Sequence, residues 1–185
     1  GEGTMIAVLG LKIHEVEDLI KKNDNKKGVC EVANDNADGQ VIISGNASSI
    51  KSLQELLKEK KIKSIPLKVS APFHCSLMKP AAEKMKEKIG NTNFKQPSFE
   101  IINNVNAKPE KDPEIIKRLL IEQIYSTVKW RESLIFMSNS GVKNFFEIGP
   151  GKALTGMVKR TIKNSNCFSI NSIADIKNIE NELKK

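Results

Sequence analysis

The sequence is short of the residues that build metal sites and covalent staples. Three cysteines with no C-x-x-C pair, and two histidines in 185 residues, cannot make a usual zinc site or a paired disulfide framework. So odd and sparse a cysteine set suits a reducing compartment, and a cytoplasmic location is expected. No stretch approaches 18 consecutive apolar residues, so no membrane-spanning helix is expected. The run from Met5 to Leu11 is too short for a secretory segment and lacks a basic flank. No serine lies in G-x-S-x-G, the tight turn that presents an activated hydroxyl. Aromatic residues are only 5% of the chain, which weakens any reading as a base-stacking nucleic-acid module.

What is present is ordinary for a folded protein. Hydrophobic residues make up 39% and charged residues 28%, which excludes disorder and collagen-like repeats. The length fits one domain or two small ones, at roughly 150 residues per domain. Thirty basic against 22 acidic side chains give a formal charge of +8, an attraction to acidic partners that says nothing about fold. The chain opens Gly1-Glu2-Gly3-Thr4 without an initiator methionine, so it is expected to be processed or a piece of something longer.

Periodicity gives the element order. Met5 to Leu9 reads as a strand closed by Gly10, and Ile13, Val16, Leu19 and Ile20 fall at helical spacing. Lys21 to Lys27 reads as a solvated turn, Val29 to Ala33 as a strand, Asn34 to Gly39 as a turn, and Val41 to Ser44 as a third strand. Asn46 or Ser48 can cap a helix carrying Ile50, Leu53, Leu56 and Leu57, and Ile62 to Val69 completes a fourth strand. That order, β-α-β-β-α-β, is the split ferredoxin-like arrangement, expected to bury one sheet face under two helices.

The second half alternates helices with strands, which indicates α/β layering with parallel strands. Helices are expected from about Leu77 to Ile89, after the Asp112-Pro113 cap pair, around Leu134 to Met137, through Leu154 to Val158, and at the C-terminal end. Strands are expected at Phe99 to Ile102, Val142 to Ile148 and Phe168 to Ile170. The fold class is therefore α/β, with an α+β small subdomain over residues 4–70 and a second subdomain over 71–185.

Among residues that could carry chemistry, His14 sits in an acidic helix away from its apolar stripe and reads as solvated. His74 lies in Ser70-Ala71-Pro72-Phe73-His74-Cys75-Ser76, a loop between strand and helix where Pro72 fixes the backbone. Its imidazole suits proton transfer near neutrality, and a capping or core histidine is the competing reading. No nucleophile is evident beside it: Cys75 is adjacent and cannot readily converge, and Ser76 reads as a helix cap. Gly149-Pro150-Gly151-Lys152 fails the spacing of a phosphate loop and reads as a strand-to-helix turn, with Lys152 near an anion-favouring helix start. RNA binding, raised by the basic charge and the ferredoxin-like order, is a minor alternative because the central strands lack aromatics.

Several ordered segments then resemble one family. Val69 through Ala82 resembles the histidine segment of the malonyl-CoA:acyl carrier protein transacylases of bacterial fatty acid synthesis. Asn36 with Gly39-Gln40-Val41-Ile42-Ile43-Ser44-Gly45 resembles the segment upstream. Asn103-Asn104-Val105, Gln123-Ile124 with Val128-Lys129-Trp130, and Glu147 through Leu154 resemble later segments in order. Glu2-Gly3-Thr4-Met5 also looks like family sequence.

The resemblance implies an inserted ferredoxin-like small subdomain followed by the C-terminal part of an α/β-hydrolase-like large one, with the site between them. It implies ping-pong transfer of malonyl from coenzyme A to a serine and then to the phosphopantetheine thiol of acyl carrier protein. His74 would be the base, and Gln123 would orient it through its backbone carbonyl. Phe73 would crowd an α-methyl group and so favour malonyl, and Asn36 would line the cleft, a turn asparagine being the alternative.

Malonyl-CoA and acyl carrier protein are the implied partners. No metal or bound cofactor is implied, coenzyme A being a substrate, and a monomer is expected at full length. The family's G-H-S-x-G serine, its oxyanion segment and its malonyl-gripping arginine would precede Gly1. The chain alone is therefore expected to be inactive; the competing expectation is a non-catalytic carrier-binding fragment, or a split or decayed gene product.

Overall fold

The computed structural model describes residues 3–23 and 28–183; the expected lysine-rich turn lies partly outside them. The chain divides into two compact units, Gly1–Ser133 and Leu134–Lys185. In the first unit, strands β1 (Gly3–Leu9), β2 (Cys30–Ala37), β3 (Gln40–Asn46) and β4 (Ser64–Pro66) alternate with helices α1 (Ile13–Lys22) and α2 (Ala47–Glu59). The strands pair in the order β2-β3-β1-β4, every pair antiparallel. This is the split β-α-β order read from the periodicity.

Period-two alternation sends the strand residues to two different cores. Ile6, Val8, Val41 and Ile43 meet Val16, Ile50, Leu53 and Leu57 of the helices in one buried cluster. Met5, Ala7, Ala33 and Ile42 form a second cluster on the opposite face. The face expected to lie under two helices does so, and the opposite face is buried as well.

Other boundaries differ for identifiable reasons. Strand β2 continues through Asn34–Ala37, read as a turn, with register shifts between Val32 and Asn34 and between Asp35 and Ala37. Its polar residues find tertiary partners instead of turn geometry: Asp35 N–H donates to the Val128 carbonyl at 3.0 Å, and Val128 N–H to the Ala33 carbonyl at 2.8 Å. Only Asp38-Gly39 remains as the hairpin turn, with Gly39 at φ +79°. Asn46 sits at the start of α2 but does not cap it; its Oδ1 accepts from Val29 N–H at 2.6 Å. Strand β4 is shorter than expected.

The remainder of the first unit follows as a single 3-10 turn (Ser76–Met78), then α3 (Lys79–Gly90), β5 (Ile101–Ile102), β6 (Pro109–Glu110) and α4 (Pro113–Gln123). Strand β6 was not expected; it closes a small antiparallel ribbon with β5. Asp112 caps α4, its Oδ1 accepting from Glu114 N–H at 2.8 Å and Ile115 N–H at 3.2 Å. The compact first unit runs to Ser133, and the backbone bonds of Val128 to β2 are one reason.

Helix α5 (Trp130–Asn139) leads into the second unit, where β7 (Asn144–Ile148), α6 (Ala153–Thr161), β8 (Asn166–Ile170) and α7 (Ile173–Leu183) follow. β7 and β8 are parallel, and Phe146 stacks on Phe168 at 5.0 Å between centroids. Among the described residues no helix is long and apolar enough to cross a membrane.

Two buried or helix-terminal carboxylates yield stability predictions. Asp35 is 1% exposed, and its Oδ2 accepts from Arg131 Nε at 2.9 Å. Burial pushes its carboxyl above the usual range, and the Arg131 guanidinium only partly offsets this. Replacing Arg131 by methionine strands that charge and should cost about 3–5 kcal/mol in urea denaturation at neutral pH. The loss should shrink in acid, where Asp35 is protonated, and the added Asp35→Asn change should recover much of it.

At the start of α6, Glu147 accepts from Leu154 N–H at 3.1 Å and Thr155 N–H at 2.7 Å. These bonds, that from Thr155 first, hold its carboxyl below the usual range. A depressed carboxylate stabilises the fold above its unfolded pKa and loses that contribution as pH falls through the folded value. Glu147→Gln should therefore lower the melting temperature at pH 7, with the gap closing in acid.

Candidate active site

The row of side chains on the sheet's second face positions the histidine loop. Glu31 pairs with Ser44 across β2 and β3, and Ser44 pairs with Met5 across β3 and β1, so all three share a face. The loop from Pro72 to Ser76 is anchored along that face. Gly3 has no room for a Cβ because the Pro72 ring occupies its place. Ser44 Oγ donates to Cys75 Sγ at 3.6 Å, and Cys75, fully buried, donates to the Pro72 carbonyl at 3.1 Å. Ser76 donates twice to Glu31, from N–H to Oε2 at 2.8 Å and from Oγ to Oε1 at 2.7 Å.

Between these anchors His74 adopts φ +58°. That left-handed conformation costs a non-glycine residue about 1–3 kcal/mol and persists only where its surroundings hold it. His74 Nδ1 lies 2.9 Å from the Gln123 backbone carbonyl at the end of α4. A carbonyl oxygen can only accept, so Nδ1 carries a proton, and in the neutral ring the lone pair lies on Nε2. Gln123 Oε1 also accepts from Asn104 Nδ2 at 3.4 Å.

His74 lines a cavity of about 580 Å³ together with Cys30, Glu31, Glu122, Tyr125 and Lys129 among others. The Cys30 thiol is pushed up to about 12, chiefly by burial and further by Glu31 and Cys75, so it is a poor nucleophile near neutrality. Cys75 is buried with its thiol engaged. Ser76 is not the cap that the sequence suggested: its hydroxyl is directed to Glu31.

Phe73 is 37% exposed and Asn36 lies half-buried on β2, and neither lines this cavity. His14 is exposed. Gly149-Pro150-Gly151 leads into α6, but its N-terminal donors are taken by Glu147. Spacing could not reveal Glu31: it is a lone carboxylate in a strand, 45 residues from Ser76.

No family model matches the chain. It is 43% identical over 161 residues to the malonyl CoA-acyl carrier protein transacylase of Bacillus subtilis, covering 86% of this chain and 51% of that one. Among solved structures, the acyl carrier protein S-malonyltransferase of Vibrio cholerae matches 97% of this chain and 58% of its own, at a TM-score of 0.92 and 37% identity. The chain is a homologue of the malonyl CoA-acyl carrier protein transacylases. It spans little more than half the length of those relatives, consistent with the C-terminal portion that the motifs indicate. A malonyl-transacylase solved in complex with a type II PKS acyl-carrier protein is similar too, over 98% of this chain and 59% of its own, with 34% identity and a TM-score of 0.92.

The tautomer is measurable without any reaction. Long-range ¹H–¹⁵N correlation spectra of the neutral imidazole should show Nδ1 protonated and Nε2 bare. A dominant Nε2–H form would contradict the Gln123 bond.

Proposed function

We propose that the chain supplies the histidine part of an acyltransferase that moves malonyl from malonyl-CoA to the phosphopantetheine thiol of acyl carrier protein. The supporting observation is the 2.9 Å contact from His74 Nδ1 to the Gln123 carbonyl, which leaves Nε2 as the basic atom. In the proposed reaction Nε2 takes the proton of a serine hydroxyl as that oxygen attacks the malonyl thioester. The imidazolium then protonates the departing coenzyme A thiolate. In the second half the same nitrogen deprotonates the carrier's thiol, which displaces serine from the malonyl ester, and the proton returns to the serine oxygen. The Gln123 carbonyl holds the ring in register and stabilises the imidazolium without itself titrating.

Phe73 is assigned to exclusion of an α-methyl group and Asn36 to the acyl-binding cleft, both on the family resemblance. The reaction as written uses no metal or bound cofactor, coenzyme A arriving as part of the substrate. The type II PKS acyl-carrier protein seen with one homologue supports a carrier as partner, and the charge of +8 suits an acidic one. A cytoplasmic setting fits this chemistry.

The serine belongs to a G-H-S-x-G segment, absent from these 185 residues. The chain alone is therefore expected to give no malonyl transfer above background. Supplying the G-H-S-x-G-bearing segment of the Bacillus subtilis homologue should restore transfer to acyl carrier protein, and His74→Ala should then reduce it by at least about 1,000-fold. Efficient transfer by the unaided chain would refute the division of roles. Salt-sensitive carrier binding that no added segment converts to turnover would favour a non-catalytic carrier-binding fragment.

A further inference from the structure

We propose that Glu31 is a positioning residue for His74, acting through the two hydrogen bonds its carboxylate accepts from Ser76; this rests on His74 being the base of the proposed transfer. The two donors of Ser76 go to different oxygens of one carboxylate, at 2.8 and 2.7 Å. Such a charge-assisted pair restricts both the position and the orientation of the residue that makes it. Ser76 lies two residues after His74 and opens the 3-10 turn that leads into α3. The carboxylate therefore ties the beginning of that helical segment to β2 just where the loop leaves the imidazole.

The loop needs such a tie because His74 is held at φ +58°, a conformation that relaxes once either flank can move. Upstream, the Pro72 ring is seated against Gly3. Downstream, the side-chain anchors are Glu31 and the Ser44–Cys75 contact at 3.6 Å, and a thiol is a weak hydrogen-bonding group. Without the carboxylate, the downstream flank keeps only that weak contact and the packing of the buried Cys75 side chain, neither of which fixes the direction of the backbone at Ser76. The backbone at His74 then turns toward an ordinary conformation, and the imidazole loses its contact with the Gln123 carbonyl. Nothing in this requires Glu31 to touch substrate or to exchange a proton, so it acts on the reaction only through where it places Nε2.

The test compares Glu31→Gln with Glu31→Ala in the 185-residue chain by imidazole ¹⁵N spectra. Glutamine can keep both contacts, its oxygen accepting from Ser76 N–H and its amide donating to Ser76 Oγ. E31Q should therefore retain the Nδ1–H form, whereas E31A should give a mixture of tautomers. Ser76→Ala, which loses only the hydroxyl bond, should shift the spectrum in the same direction by less, and it decides the matter if E31A does not fold. With the complementing segment added, E31A should lower kcat by about 10- to 100-fold with KM within about twofold, and E31Q should stay near the unaltered chain.

Glu31 is merely structural if E31A, or S76A should E31A not fold, keeps the Nδ1–H form while only its melting temperature falls. The proposal also fails if E31Q and E31A behave alike. Should the unaltered chain with the added segment transfer no malonyl, the functional reading fails, and the tautomer comparison still decides whether Glu31 sets the ring.

Discussion

Burial of the four-stranded sheet on both faces is the constraint on which the rest of the first unit depends. One face is an ordinary core, with helices α1 and α2 laid over Ile6, Val8, Val41 and Ile43. The opposite face holds a smaller apolar cluster around Met5, Ala7, Ala33 and Ile42. On that face, polar and small residues meet the histidine loop: Gly3 against Pro72, Ser44 against Cys75, Glu31 against Ser76. A sheet covered on one side only would leave the loop as a mobile connection. Here the same alternation that fills the first core also presents a row of anchors on the second face.

The loop illustrates how strain and chemistry are combined. A left-handed residue is unfavourable, and an imidazole bonded to a carbonyl loses rotamer freedom. Both costs are met by the surrounding contacts, so the ring is held before any substrate arrives. Preorganisation of this kind would serve the proposed acyl-transfer base, because little reorganisation would be left for the reaction itself. The same logic accounts for the inert thiols. Burial and neighbouring acidic groups push the Cys30 thiol up to about 12, and Cys75 spends its hydrogen on the Pro72 carbonyl.

The second unit uses a carboxylate differently. Glu147, at the end of a strand, turns back to receive the first amides of α6, where helix N-termini favour negative charge. That settles the glycine-rich turn as a structural joint, since the donors an anion would need are already occupied. In the first unit Asp35 is the costlier carboxylate, buried on β2 and tolerable only because Arg131 reaches it. These two residues mark where charge has been placed inside the fold, one cheaply at a helix end and one at a price in desolvation.

By itself the sequence determined the α/β class, the β-α-β-β-α-β order and most helices, because those follow from periods of two and 3.6 and from local caps such as Asp112-Pro113. It also singled out His74, whose loop setting is local, and its family resemblance named Gln123. The tertiary structure alone decided what anchors the histidine loop and what pairs the buried carboxylate. Glu31 is 45 residues from Ser76, and Arg131 is 96 from Asp35; no local pattern encodes such pairings. It decided as well that Asn34–Ala37 are strand and not turn, because residues with turn propensity take extended backbone when Val128 offers them hydrogen bonds. Local preference sets what each segment favours, and the distant partner sets which preference prevails.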